Sequence, residues 1–242
     1  MVKMKTPNIL LSENDTFGKP SYDIVRLFLS MVDMNMMAAL DLPAFSTQRC
    51  QVFYMEDGPM CSKVGEEHII FLSVKDNHWC QWVYQFAHEY CHHLINGTLS
   101  GEWSDLIWFE ETICELSSLY NMNKMIGFCM TNGLQVYAPS VEGYLNNLLS
   151  KNKDTYCLSV DGGWYRQFED SLKVKQYQRD LYNAIAVMMY PLFMENPRLW
   201  KMILNIGDIR SWTSLEDLFS HLEATADDSY RDSLSRLRRL FS

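Results

Sequence analysis

Residues 78–95 read HWCQWVYQFAHEYCHHLI, and this run decides how the rest of the chain is understood. Val83, Ala87, Tyr90, Cys91 and Leu94 recur at helical spacing and form one apolar stripe. Asp76-Asn77 offers an N-cap before the run, and Asn96-Gly97 a stop signal after it. The pattern predicts a helix from about His78 to Ile95. Inside it lies His-Glu-Tyr-Cys-His at 88–92, an HExxH motif. Four residues along a helix turn the side chain by only about 40°, so His88 and His92 share a face and both imidazoles can grip one ion. Neutral imidazole suits Zn²⁺, which takes about four ligands without a strict geometric demand. Glu89, next to the first His, is placed to take a proton from water activated by the metal without itself ligating.

Working outward, residues 50–56 and 68–75 read as strands, with a turn at Asp57-Gly58-Pro59 between them. Upstream, residues 21–40 carry Ile24, Leu27, Phe28, Met31, Met34 and Met37 at helical spacing, with Ser21 or Asp23 as cap and Pro43 beyond the end. The methionines read as core filling. Downstream, a second helix is expected from about Asp105 to Met125, capped by Ser104 and ended by Gly127. Residues 128–163 look mixed, helical near 141–151, with a turn at Asp161-Gly162-Gly163. Helical patterns then cover roughly 165–195, 197–206, 214–224 and 227–241, with Pro191 and Pro197 breaking the longest. The order implies an α+β fold: a small sheet with the motif helix in residues 1–127, and a mainly helical lobe in 128–242 packed on it.

A Zn²⁺ site open to water needs a third protein ligand. The second helix supplies Glu110, Glu111 and Glu115, and eighteen residues separate His92 from Glu111. Glu111 and Glu115 share a helix face. Glu111 is therefore the candidate ligand. Glu115 is the candidate acceptor for the far nitrogen of a ligand His, which would fix its tautomer. Glu110, 100° round the helix, reads as solvated or paired. His93 reads as a surface or capping residue.

HEYCH at 88–92, followed by Glu111 and Glu115, resembles the zincin metallopeptidases, and among them the gluzincin branch that includes thermolysin and the zinc aminopeptidases. The resemblance covers residues 68–127. It implies His88, His92 and Glu111 as ligands of one zinc ion, and Glu89 as general base and proton shuttle in peptide hydrolysis. It also implies that the strand before the metal helix, here 68–75, pairs with a peptide substrate, and that a Tyr or His from the helical lobe stabilises the oxyanion. Tyr165, Tyr177, Tyr182, Tyr190 and His221 are open for that role, with Tyr182 and Tyr190 preferred. Two features depart from the family. Gly58-Pro59-Met60-Cys61-Ser62 only partly echoes the GxMxN motif of the aminopeptidases, lacking its acid and its Asn. Glu115 stands where thermolysin-like enzymes carry Asp.

Composition bounds the partners. In 242 residues, 48% are hydrophobic, which excludes a disordered chain. Thirty Asp+Glu against 21 Lys+Arg give a net charge of -9, which argues against nucleic acid as a partner. Arg231, Arg236, Arg238 and Arg239 read as a solvated helix face. The seven Cys are odd in number, lack any CxxC and mostly sit in apolar stretches, so they read as buried reduced thiols. The start shows no signal peptide, and the longest apolar run, Ala184–Met194, is too short for a bilayer, so no membrane partner and a cytoplasmic location are expected. Two alternatives to a general peptidase stand beside it. One is a catalytically silent protein in which zinc ties two helices together. The other is a narrow-specificity protease that cleaves one intracellular partner.

Overall fold

The computed structural model describes residues 8–43, 47–65, 67–95, 104–152, 155–158, 163–174 and 177–242. The fold is α+β, as expected. Strands β1 (Ile9–Leu11), β2 (Cys50–Tyr54), β3 (Met60–Val64) and β4 (Glu67–Leu72) form a mixed sheet in the order β1-β2-β4-β3. Helix α1 (Tyr22–Leu40) links β1 to its parallel neighbour β2, and β4 continues the parallel set. β3 and β4 form an antiparallel hairpin, turning at Gly65 with φ +63°, a conformation glycine adopts at little cost. Along β4, His68, Ile70 and Leu72 are buried, as expected for a strand with one face against helices.

Helices α2 (Trp79–Ile95) and α3 (Ile107–Thr131) follow, and α2 packs on β4, β3, α1 and α3. Asn77 Oδ1 accepts the Ser21 amide at 3.0 Å, so the residue expected to cap α2 instead ties its entrance to the start of α1. Helix α3 is the axis of the fold. It contacts α1, α2, α4 (Ala138–Ser150) and α6 (Arg179–Glu195), and it is buried on nearly every side. Helix α5 (Trp164–Lys173), a 3-10 segment Pro197–Asn205, α7 (Leu215–Thr225) and α8 (Arg231–Arg239) complete the lobe. Residues of both expected parts share one hydrophobic core. The C-terminal arginines are ion-paired on the surface, Arg236 with Glu195 and Arg238 with Glu216 and Glu223.

Several boundaries differ from the sequence reading. Gly127 lies inside α3, which runs on to Thr131 and so passes through the boundary expected at 127. Its burial against four other helices outweighs the modest cost of a mid-helix glycine. Pro191 lies inside α6 near its end, where it removes one backbone donor without breaking the helix. β1 and β3 are strands that the periodicity did not expose, being short and, for β3, without a buried residue. The largest correction concerns residues 68–75. β4 is bonded on both sides, to β2 and to β3, so it has no free edge for a peptide. The edge next to α2 is β3, where Met60, Lys63 and Val64 are exposed. The stop signal at Asn96-Gly97 and the turn residues Asp161-Gly162 lie outside the described residues.

All seven cysteines are free thiols, and Cys50, Cys91, Cys114 and Cys129 are buried. Among the described residues no helix is long and apolar enough to cross a membrane.

Candidate metal centre

The site is built where α2 meets α3. Two serines on α3 set how closely the helices approach. Ser117 Oγ donates to the Ala87 carbonyl at 2.9 Å, and Ser118 Oγ to the Tyr84 carbonyl at 2.8 Å. Each small hydroxyl satisfies its own hydrogen bond on the backbone of the facing helix, so the axes can come close without an orphaned polar group. That approach brings the first turns of α3 onto the HExxH face of α2.

His88 Nε2 lies 3.3 Å from Glu111 Oε2, and His92 Nε2 lies 3.6 Å from Glu111 Oε1. Two ligands each about 2.05 Å from a tetrahedral zinc stand roughly 3.3 Å apart. Each His–Glu111 separation is thus of the size that two ligands of one ion take, the two contacts running to different oxygens of the carboxylate. Cys114 joins them from behind. Ligand atoms of His88, His92 and Cys114 all lie within 4.8 Å of one another, with His88 and Cys114 buried and His92 half-buried. The His/Cys cluster can hold a metal ion, and the donor chemistry of imidazole, carboxylate and thiol fits Zn²⁺.

The electrostatics agree with a cation site. Burial pushes the Glu111 carboxyl up, but His92 and His88 outweigh it and hold the group below the usual carboxylate range. Burial likewise lowers both histidines, and the facing carboxylates reverse this. His92 is raised well above its ordinary value by Glu111 and Glu110, and His88 is raised by Glu111 and Glu89. The facing carboxylates thus favour positive charge at this spot.

Glu89 is 4% exposed, and its carboxyl is raised by burial. The Cys61 backbone amide hydrogen-bonds it from β3. It lines a cleft of about 680 Å³ together with His88, His92 and Glu111, and β3 forms one wall through Met60, Cys61 and Ser62.

Some roles fall to residues other than those expected. Of the two alternatives read for Glu110, solvated or paired, the structure has the paired one. It is 1% exposed, and its Oε1 lies 2.8 Å from His92 Nδ1. It is Glu110, then, that orients the His92 imidazole. Glu115 is bonded elsewhere: it is fully buried, accepts the Tyr84 hydroxyl and meets Arg179 Nε at 3.2 Å. His93 is buried rather than on the surface, with Nδ1 2.6 Å from His68 Nδ1. Neither preferred oxyanion tyrosine lines the cleft. Tyr182 is fully buried, and Tyr190 is hydrogen-bonded to Asn123, further along α3. Tyr177 does line it, with its ring edge-on to Tyr182 at 5.3 Å, and Arg179 stands beside it. Tyr165 hydrogen-bonds Glu169, and His221 packs on Trp212, both away from the cleft.

No protein-family profile, no curated protein and no solved structure matches the chain.

Proposed function

We propose that the protein is a zinc-dependent peptidase of the gluzincin type, with His88, His92 and Glu111 as ligands and Glu89 as general base. The observation that carries this reading is the pair of 3.3 and 3.6 Å separations from both His Nε2 atoms to the Glu111 carboxylate. The buried, cleft-lining Glu89 stands next to them. When bound, zinc acts as a Lewis acid toward a peptide carbonyl and lowers the pKa of water. Glu89, its carboxyl raised by burial, accepts a proton from the attacking water and delivers it to the leaving amine. The Cys61 amide holds the Glu89 carboxylate in place during the transfer. Glu110 keeps His92 in the tautomer whose Nε2 faces Glu111. Tyr177 is the tyrosine that supplies a hydroxyl donor in the cleft to a developing oxyanion. An extended substrate pairs with the exposed edge of β3 rather than with β4. The test is to load the purified protein with zinc and map cleavage of a peptide library, then strip and restore the metal. Cleavage should stop with the chelator and return with zinc.

One observation favours a second reading. The Cys114 thiol lies within 4.8 Å of both His ligand atoms, and a His-His-Glu-Cys set would close the site as a structural tie between α2 and α3. Cobalt substitution separates the two readings. A thiolate-to-cobalt charge-transfer band marks the closed site, and its absence marks the open one.

A further inference from the structure

We infer that Arg179 makes the cleft selective for a substrate carboxylate, an inference that rests on the peptidase reading. The lining of the cleft is acidic. Asp57, Glu89, Glu110 and Glu111 all contribute, and among the described residues Arg179 is the one Lys or Arg that reaches it. An anionic group entering the cleft away from the metal is therefore repelled everywhere except at this guanidinium.

The guanidinium is held before any ligand arrives. Its Nε bonds Glu115 Oε1 at 3.2 Å, and Glu115 is fully buried. Its Cζ lies 5.8 Å from the centroid of the Tyr84 ring, and it also hydrogen-bonds the Tyr84 side chain. The inner side of the fork is thus fixed to two buried partners. The side chain nonetheless remains 52% exposed on the cleft. A guanidinium has five N–H donors in a rigid plane, so engaging its inner side leaves an outer side matched to the two oxygens of a carboxylate. Because Arg179 is already ordered, binding costs little of its side-chain entropy. A role limited to neutralising Glu115 would need only the inner contacts and would not require the fork to stand open on the cleft. The carboxylate can be the C-terminus of a peptide or an Asp or Glu side chain, and the experiment separates the two.

The experiment uses the zinc-loaded Glu89→Gln protein, which binds peptides without cleaving them, and titrates it calorimetrically with four N-acetylated pentapeptides of one sequence. One is neutral with a C-terminal amide, and one carries a free C-terminal carboxylate. Two are amides with a single central Glu or Gln. One carboxylate peptide should bind about tenfold or more tighter than its neutral match, and which one does so identifies the source. Adding Arg179→Gln should bring the ratio of carboxylate to neutral-amide affinity down to about one. Arg179→Lys, which keeps the charge beside Glu115, should retain only part of the preference, and decides the matter if the Gln variant does not fold. Binding of the neutral amide with no carboxylate preference, or a full preference in either variant, overturns the inference and leaves the peptidase reading standing. Binding of none of the four overturns both.

Discussion

Glu110 Oε1 lies 2.8 Å from His92 Nδ1, and both side chains are shielded from solvent at the foot of α3. A carboxylate on the far nitrogen of an imidazole fixes the tautomer and makes the near nitrogen a better donor to a metal. Glu110→Gln keeps the shape and removes the charge. It should weaken zinc binding by about 10- to 100-fold while leaving the fold intact, as read by competition with a chromophoric chelator. An unchanged affinity would mean that Glu110 has no part in holding the metal.

The close approach of α2 and α3 depends on Ser117, which is fully buried with its hydroxyl on the Ala87 carbonyl. Ser117→Leu overpacks this seam and should cost about 1–3 kcal/mol of stability. It should also reduce zinc affinity, because Glu111 sits on the same helix, two turns earlier, and moves away from His88. Ser117→Ala removes only the hydroxyl and should cost roughly 1 kcal/mol with affinity retained. The check is a denaturant titration paired with a zinc titration. Loss of stability in the Leu variant with affinity untouched would separate the helix seam from the site.

His93 carries the clearest pH signature. Burial, reinforced by His68, depresses its pKa from 6.5 to about 4, against a smaller opposing contribution from the Gln48 backbone. Unfolded, it takes its proton near pH 6.5; folded, only near pH 4. The unfolded chain therefore binds more protons in that window, so this contribution to stability is complete above about pH 6.5, declines as pH falls, and is flat below about pH 4. Wild type should lose up to about 3 kcal/mol more than His93→Gln between pH 7 and 4. Urea unfolding of the metal-free proteins reads the difference, since His88 and His92 contribute equally to both. Parallel curves would show that the His93–His68 contact tolerates a second proton.

The sequence showed most of the candidate site because helical spacing is a local property. His88, Glu89 and His92 are placed by one helix, and Glu111 by the next. It named Glu115 rather than Glu110 as the partner of a His, since that choice depends on the rotation of α3 against α2 and on Arg179, 64 residues further along, which claims Glu115. Cys114 looked like core because burial and ligation use the same apolar surroundings. β3 stayed hidden because its burial pattern is that of a solvated edge, and its absence from the reading misplaced the free edge on β4. The long C-terminal helices were visible by periodicity, yet which tyrosine of the lobe enters the cleft is decided by tertiary packing alone: Tyr177, just before α6, lines it and Tyr182 is buried beneath.

The central claim is that Glu89 does chemistry beside a metal that it does not bind. The most direct measurement compares zinc content and peptide cleavage in wild type and Glu89→Gln. Equal zinc in the two proteins, with cleavage abolished in the variant, is the predicted result. Cleavage by Glu89→Gln at the wild-type rate would contradict it.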